Sequence, residues 1–375
     1  MSPHQSLREF AETKLARLRA ADRFRTMIPT ARYGSGQTDR DGEDLISFCD
    51  NDYLGLATDP RVVNAAREAA TVWGVGAGAS RLVTGDHPLN GEIESRLARM
   101  KGTQGARLFG SGYLANVGAI PVLVGAQDRI IMDDTSHACM YAGAQLSRAE
   151  IILFKHNDVG DLRRHLAMPH GGKTLVLTET VFSMDGDLAP LQQINEICQQ
   201  YGAWLMTDDA HGLGIIHTPN PAQIQMGTLS KSAGSYGGYV CGPAPVMELL
   251  TNRARSLIFT TGLPPTVLAA TREALSIIEA EPERGSRALE LARLFCRLMD
   301  LPRSDSTIVP VILGEERAAL RASEYLKQNG FLVAAIRPPT VAKGTSRLRI
   351  TFSATHQEAD VRALAACLAD ARMAA

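Results

Sequence analysis

The chain has 375 residues, 39 Lys and Arg against 40 Asp and Glu, a formal net charge of -1, and 45% apolar residues. That length suits one sizeable domain plus a smaller one, and ordinary apolar and charged usage excludes disordered and fibrous classes. The scattered charges form no basic stripe for nucleic acid or an anionic membrane, which leaves at most a local patch for a carrier protein or coenzyme.

The first residues, MSPHQSLREFAETKLARLRAADRFR, read as a charged amphipathic helix without the apolar centre of a signal peptide. The helix is expected to end near Pro29. LISFCDNDYLGL is β-like at its start, Pro60 to Trp73 has helical spacing ended by GVGAG, and NGEIESRLARMKG predicts a helix opened by Asn90 and closed by Gly102. Short apolar runs then alternate with helices: ARLFG before GYLANVGAIPVLV, DRIIMDD before HACMYAGAQL, EIILFKH before VGDLRRHL, and KTLVLTE before LQQINEICQQYG and AWLMTDD. Such alternation predicts an α/β fold with a mainly parallel sheet covered on both faces. Its sites should lie beyond the carboxyl ends of the strands. After Pro264–Pro265 a long helical region, STIVPVIL, another helix, FLVAAIRP and SRLRITFS read as a smaller α+β unit. Six dispersed cysteines without C-x-x-C read as free thiols in a reducing compartment, and no apolar run nears the roughly 20 residues that cross a bilayer. A soluble, cytoplasmic protein is expected, with no metal.

Candidate chemistry stands where the runs end. In TLSKSAGSYGGYV, Lys231 precedes a flexible Ser/Gly segment; taken alone it reads first as a solvated loop charge, and with a tuned neutral amine as a Schiff-base lysine, with Thr228 and Ser230 offering hydroxyls to a phosphate. AWLMTDDAHGLG delivers Asp208 to a strand end with His211 three residues on, which suits a protonated pyridine nitrogen, an Asp/His metal site or a structural turn. FGSGYLAN places Gly110, Ser111 and Gly112 between strand and helix, where N–H groups can receive a phosphate or merely turn the chain. His137 in DDTSHACM can stack on a ring or serve structure alone. Arg337, Arg347 and Arg349 suit carboxylates, or are exposed strand charges.

Taken in order, NDYLGL, GAGASRLVTGDH, FGSGYLAN, TSHA, TETVFSMDGDLAPL, TDDAHGLG, GTLSK, GSYGGYV, IRPPTV and RLRIT resemble the α-oxoamine synthases, pyridoxal-phosphate (PLP) enzymes of fold type I, the aspartate aminotransferase-like fold. The resemblance implies a PLP-dependent acyltransferase that joins L-alanine to a pimeloyl thioester, pimeloyl-CoA or pimeloyl-ACP, in a homodimer. It divides the chain into residues 1–44, which pack with the small domain, a PLP-binding domain at 45–265 and a small domain at 266–375. It makes Lys231 the Schiff-base lysine, Asp208 the partner of the pyridinium nitrogen and His211 that of the phenolic oxygen. His137 and Ala210 would take the two ring faces. Ser111, Gly112, Tyr113 and Thr228 would surround the cofactor, and Ser183 would lie near its oxygen substituent. Glu179 and Asn51 would line the substrate cleft. Arg25, Arg337 and Thr340 would face the acyl substrate or a carboxylate, with Arg349 a second carboxylate candidate. One departure is the SAG after GTLSK, where a bulkier residue is common. Other readings are a family member using glycine or serine, a catalytically silent homologue, and a nicotinamide oxidoreductase, which the missing glycine fingerprint disfavours.

Overall fold

The computed structural model describes residues 6–20 and 23–373. Helix α1 (Leu7–Ala20) buries none of its residues. It stops well short of Pro29, because an unpacked helix of this length has only marginal local propensity to extend it. Residues 1–5 and 21–22 of the expected helix lie outside the described residues. Strands β1 (Thr30–Arg32), β2 (Gln37–Arg40) and β3 (Glu43–Ser47) form an antiparallel meander. Its second turn uses Asp41 and Gly42, both at positive φ, a pairing that matches strand twist in a tight hairpin.

Helix α2 (Pro60–Trp73) forms where its periodicity places it, capped by the Asp59 side chain and closed by Gly74. Helix α3 (Pro88–Met100) begins earlier than expected: His87, not Asn90, is the cap, its Nδ1 accepting from Leu89 N at 3.2 Å. Pro88 sets the first helical φ, and Asn90 lies inside the helix bonded to Asp86.

The alternating region then runs β4 (Gly105–Phe109), α4 (Gly112–Leu123), β5 (Arg129–Asp133), α5 (Ala138–Ser147), β6 (Glu150–Phe154), α6 (Val159–Leu166), β7 (Thr174–Glu179), α7 (Leu191–Gln200), β8 (Trp204–Asp208), β9 (Ile224–Thr228) and β10 (Gly238–Gly242). These strands make one sheet in the order β4-β10-β9-β8-β7-β5-β6, with β10 alone antiparallel to its neighbours. Side chains alternate between faces: Ile130 and Met132 of β5 pack with α4 and α5, while Ile131 packs with Leu162, Ile194 and Ile197 of α6 and α7. The six parallel strands share one carboxyl edge, so Ser111, His137, Glu179, Asp208 and Lys231 are delivered to the same side by strand direction alone.

Helices α8 (Ala244–Arg253) and α9 (Arg255–Ile258) follow, then α10 (Pro265–Ala280) and α11 (Glu283–Leu298). The long helical region is thus two helices; Pro282 lacks the N–H that a continuous helix needs. Strand β11 (Ile308–Gly314), α12 (Glu316–Gln328), β12 (Phe331–Leu332), β13 (Ala334–Ile336), β14 (Ser346–Thr351) and α13 (Glu358–Met373) complete the chain. FLVAAIRP divides: β12 joins β3 in parallel, whereas β13 pairs with β14. Phe48, Phe295, Phe331 and Phe352 bind these elements into a third core that includes α13, a helix the sequence reading left unassigned. Among the described residues no helix is long and apolar enough to cross a membrane.

Candidate active site

Strand β8 ends in Asp208, 4% exposed. Asn116 Nδ2 donates to its Oδ2 at 2.8 Å, and Ala210 N donates to its Oδ1 at 3.0 Å. Burial raises the Asp208 carboxyl above its usual range, with Lys231 acting in the opposite direction. A buried carboxylate suits a cationic or N–H partner in addition to Asn116 and Ala210.

Lys231 lies in the turn after β9, its Nζ 2.7 Å from Nε2 of His211. Burial lowers this amine to about 8, against the charges of Asp208 and Glu179. His211 is buried and held well below its ordinary value by burial and by Lys231. Its Nδ1 lies 2.6 Å from the hydroxyl of fully buried Tyr53, which donates to Asn51 Oδ1 at 3.0 Å. Arg349 of β14 reaches the same Asn51 oxygen through Nη2 at 3.2 Å and donates from Nε to Ser183 O. The chain from Lys231 to Arg349 therefore joins the end of the main sheet to the C-terminal sheet. Arg347 acts beside it, paired with Asp185 in the same loop as Ser183.

His137 caps α5. Its backbone N donates to Glu179 Oε1 at 2.6 Å, and its Nδ1 accepts from Cys139 N at 3.2 Å. Desolvation lowers His137, as does Lys231, while Asp208 pulls it upward. Burial and then Asp208 push the Glu179 carboxyl well up.

Ser111 caps α4, its Oγ accepting from Leu114 N. Gly112 opens the helix against Thr228: a Cβ there would come within 3.3 Å of the threonine Cβ. A Cβ on Gly238 would come within 2.4 Å of Ser111 O, so this strand and helix start meet backbone to backbone. Thr228 Oγ1 and Ser230 Oγ lie 2.8 Å apart beside them, and Tyr113 is exposed on the first turn. Arg25, Arg337 and Thr340 line a separate cavity of about 140 Å³ with Arg23 and Phe24; it shares no lining residue with the Lys231 cluster.

Tyr53, Asn116 and Cys139 were not singled out from sequence. Asn116 carried a signal, as the one polar interior position of the otherwise apolar helix GYLANVGAIPVL. Tyr53 sat within the motif NDYLGL without a reason to prefer it over its neighbours.

The model of the aminotransferase class I and II family matches residues 43–368. The chain belongs to this family. A curated relative of this aminotransferase-class chain is 8-amino-7-oxononanoate synthase of Methylobacterium radiotolerans, 55% identical over 366 residues, 97% of this chain and 98% of the relative. Among solved structures, Sphingomonas wittichii serine palmitoyltransferase superposes with a TM-score of 0.93 at 29% identity, covering 99% of each chain. A structure described as SPT with PLP internal aldimine superposes at 0.92, with 30% identity and 99% of each chain covered. The family-level resemblance read from the motifs, the aspartate aminotransferase-like fold and the enzymatic class of this aminotransferase-class chain agree with these relatives.

Proposed function

We propose that the chain is a PLP-dependent 8-amino-7-oxononanoate synthase of biotin biosynthesis. It condenses L-alanine with a pimeloyl thioester, carried by coenzyme A or acyl carrier protein, and yields 8-amino-7-oxononanoate, CO2 and free thiol. The observation that carries this reading is the buried Lys231 amine, bonded to His211 and facing the charge of Asp208 at the shared strand edge. Full-length similarity to a curated synthase supports the choice of substrates. Residues 45–265 hold the cofactor in this reading, 266–375 and the N-terminal segment close the acyl side, and a homodimer in the cytoplasm is the working form.

The residues fit the cofactor. The N–H groups opening α4, with the Thr228 and Ser230 hydroxyls, would receive its phosphate; His137 and Ala210 would flank its ring, with Tyr113 and Ser183 at its margin. When bound, PLP supplies an electron-accepting ring for charge developed at the amino acid Cα. Asp208, fixed by Asn116 and Ala210, would keep a proton on the ring nitrogen. Lys231 would hold the cofactor's aldehyde carbon, and its Nζ, lowered to about 8, would serve as the base at the amino acid Cα. His211 orients the amine and the ring's oxygen substituent. Arg349 keeps guanidinium donors beyond its two internal bonds for a substrate carboxylate, while Asn51 and Glu179 line the cleft. Arg25, Arg337 and Thr340 receive the acyl chain's far end. His137 donates to the thioester oxygen as negative charge grows there.

The test is a substrate matrix: L-alanine, glycine and L-serine against pimeloyl-, acetyl-, succinyl- and palmitoyl-CoA, with products identified by mass. L-alanine with pimeloyl-CoA should give the highest kcat/KM, exceeding glycine by at least about tenfold, the worth of one methyl group in a fitted pocket. Turnover of another pair with none from alanine and pimeloyl-CoA would overturn the proposal.

A further inference from the structure

The chemistry assigned to His137 depends on which ring nitrogen carries its proton, and two contacts around α5 bear on that. Nδ1 is the cap of the helix: it accepts the Cys139 backbone N–H at 3.2 Å. The chain uses the same device at α3, where His87 Nδ1 accepts Leu89 N–H at 3.2 Å. A nitrogen that accepts an N–H bears no proton, so this bond favours the ring's hydrogen on Nε2; at 3.2 Å it biases the tautomer without fixing it.

A second donor reaches the same atom. Cys139 Sγ lies 2.8 Å from His137 Nδ1 and 4.0 Å from Asp208 Oδ2. Asn116 Nδ2 donates to this sulfur at 3.0 Å and to Asp208 Oδ2 at 2.8 Å. With Asn116 already donating to the sulfur, its own hydrogen has two acceptors within reach, and Nδ1 at 2.8 Å is much nearer than Asp208 Oδ2 at 4.0 Å. Burial and then Asp208 push the thiol up to about 12, so it keeps that hydrogen across the working pH range.

We infer that Cys139 is a positioning residue whose thiol and backbone N–H together occupy Nδ1 of His137, fixing the imidazole as the Nε2–H tautomer and tying its orientation to Asp208 through Asn116. The inference rests on the reading of His137 as a donor to the reacting thioester oxygen. A ring locked this way presents a neutral N–H and cannot act as a proton acceptor, because its other nitrogen is saturated. The charged groups acting on it are Asp208 at the end of β8 and Lys231 after β9; Glu179 of β7 holds its backbone N–H, and the Cys139 thiol of α5 stays neutral. These leave one favourable arrangement of the ring.

The test is 15N spectroscopy of the full-length holoenzyme labelled at histidine nitrogens, assigned with His137→Asn, with Cys139→Ala and Cys139→Ser as variants. The wild-type ring should show an unprotonated Nδ1 and a protonated Nε2. Cys139→Ala should give mixed tautomers, with kcat down by about tenfold, one hydrogen bond's worth, and KM for alanine changed by less than about twofold, as for an interaction felt in the transition state. Cys139→Ser keeps a donor and should restore both readings. A wild-type proton on Nδ1, a doubly protonated ring, or an alanine variant with unchanged tautomer would each overturn the inference. The tautomer is read without turnover, so its failure is distinct from failure of the synthase assignment, which the substrate matrix reads.

Discussion

Lys231 Nζ lies 2.7 Å from His211 Nε2, within a run of hydrogen bonds that continues through Tyr53 and Asn51. Tyr53 spends its one hydrogen on Asn51 Oδ1, an oxygen that also accepts from Arg349. His211 must then donate from Nδ1 to the tyrosine oxygen and accept from the lysine at Nε2. The lysine is thereby oriented by a neutral acceptor, while burial makes its proton easier to lose against the charges of Asp208 and Glu179.

The first prediction follows from that amine. Lys231 is lowered to about 8, chiefly by burial, and only the neutral amine attacks an aldehyde. The rate of PLP incorporation into the apoprotein, followed by absorbance, should rise about tenfold per pH unit below pH 8 and level off above it. A rise continuing unchanged to about pH 10, the ordinary lysine range, would contradict it.

Asp208→Asn keeps the side chain's size and should retain the fold, its one oxygen accepting from Ala210 N–H or Asn116 Nδ2 but not both, at a cost of about 1–3 kcal/mol for the donor left facing the amide. It removes the charge that holds a proton on the cofactor ring. Exchange of the alanine Cα proton with deuterated solvent should slow by roughly 10²–10³-fold, the scale seen when a preorganised electrostatic group is lost. Unimpaired exchange would mean that the carboxylate only shapes the site.

His156 clamps the loop that carries Ser183. Its Nδ1 meets buried Asp133 at 3.1 Å and its Nε2 meets Asp187 at 2.8 Å. Burial alone would lower His156, but its bonds to Asp133 and Asp187 outweigh this and raise it to about 10. The folded value thus exceeds the unfolded one, so the stabilisation is complete below about pH 6.5 and disappears as pH rises through about 10. His156→Gln should cost about 1–2 kcal/mol at pH 6, discounted for the open Asp187 side, and little at pH 10. Urea midpoints of both proteins at the two pH values check this.

Lys101 and Asp209, the residue after Asp208, form a largely buried pair. Burial opposes the charge on Lys101, yet Asp209 carries its value upward. Lys101→Met leaves Asp209 charged and alone, and should lower unfolding stability by about 3–5 kcal/mol. Adding Asp209→Asn should recover much of that loss, measured as a double-mutant cycle in denaturant. Equal destabilisation of the single and double variants would show that packing alone is at stake.

The sheet was legible where buried parallel strands are short, nearly unbroken apolar runs such as DRIIM or TLVLTE; β9, with Gln225 and Gly227 inside it, carries no such signal. Strand direction then placed Asp208 and Lys231 without knowledge of any contact. Helix ends were read less well: Asn90 looks like a cap, but His87 before Pro88 takes that place, since an imidazole nitrogen serves the same purpose. The polar pairs were unreadable for a different reason. Lys101 and Asp209 are 108 residues apart, and Arg347 and Asp185 are 162 apart, so local pattern holds no trace of either pairing. The Arg25, Arg337 and Thr340 group was legible as a set but not as to its place, which is a cavity of its own.

The most direct measurement is reduction of the holoenzyme with borohydride followed by proteolysis and peptide mass mapping. The pyridoxyl adduct should appear on the peptide containing Lys231 and be absent after Lys231→Ala, together with turnover of alanine and pimeloyl-CoA. An adduct on another lysine, or none, would contradict the assignment of this amine as the attachment point.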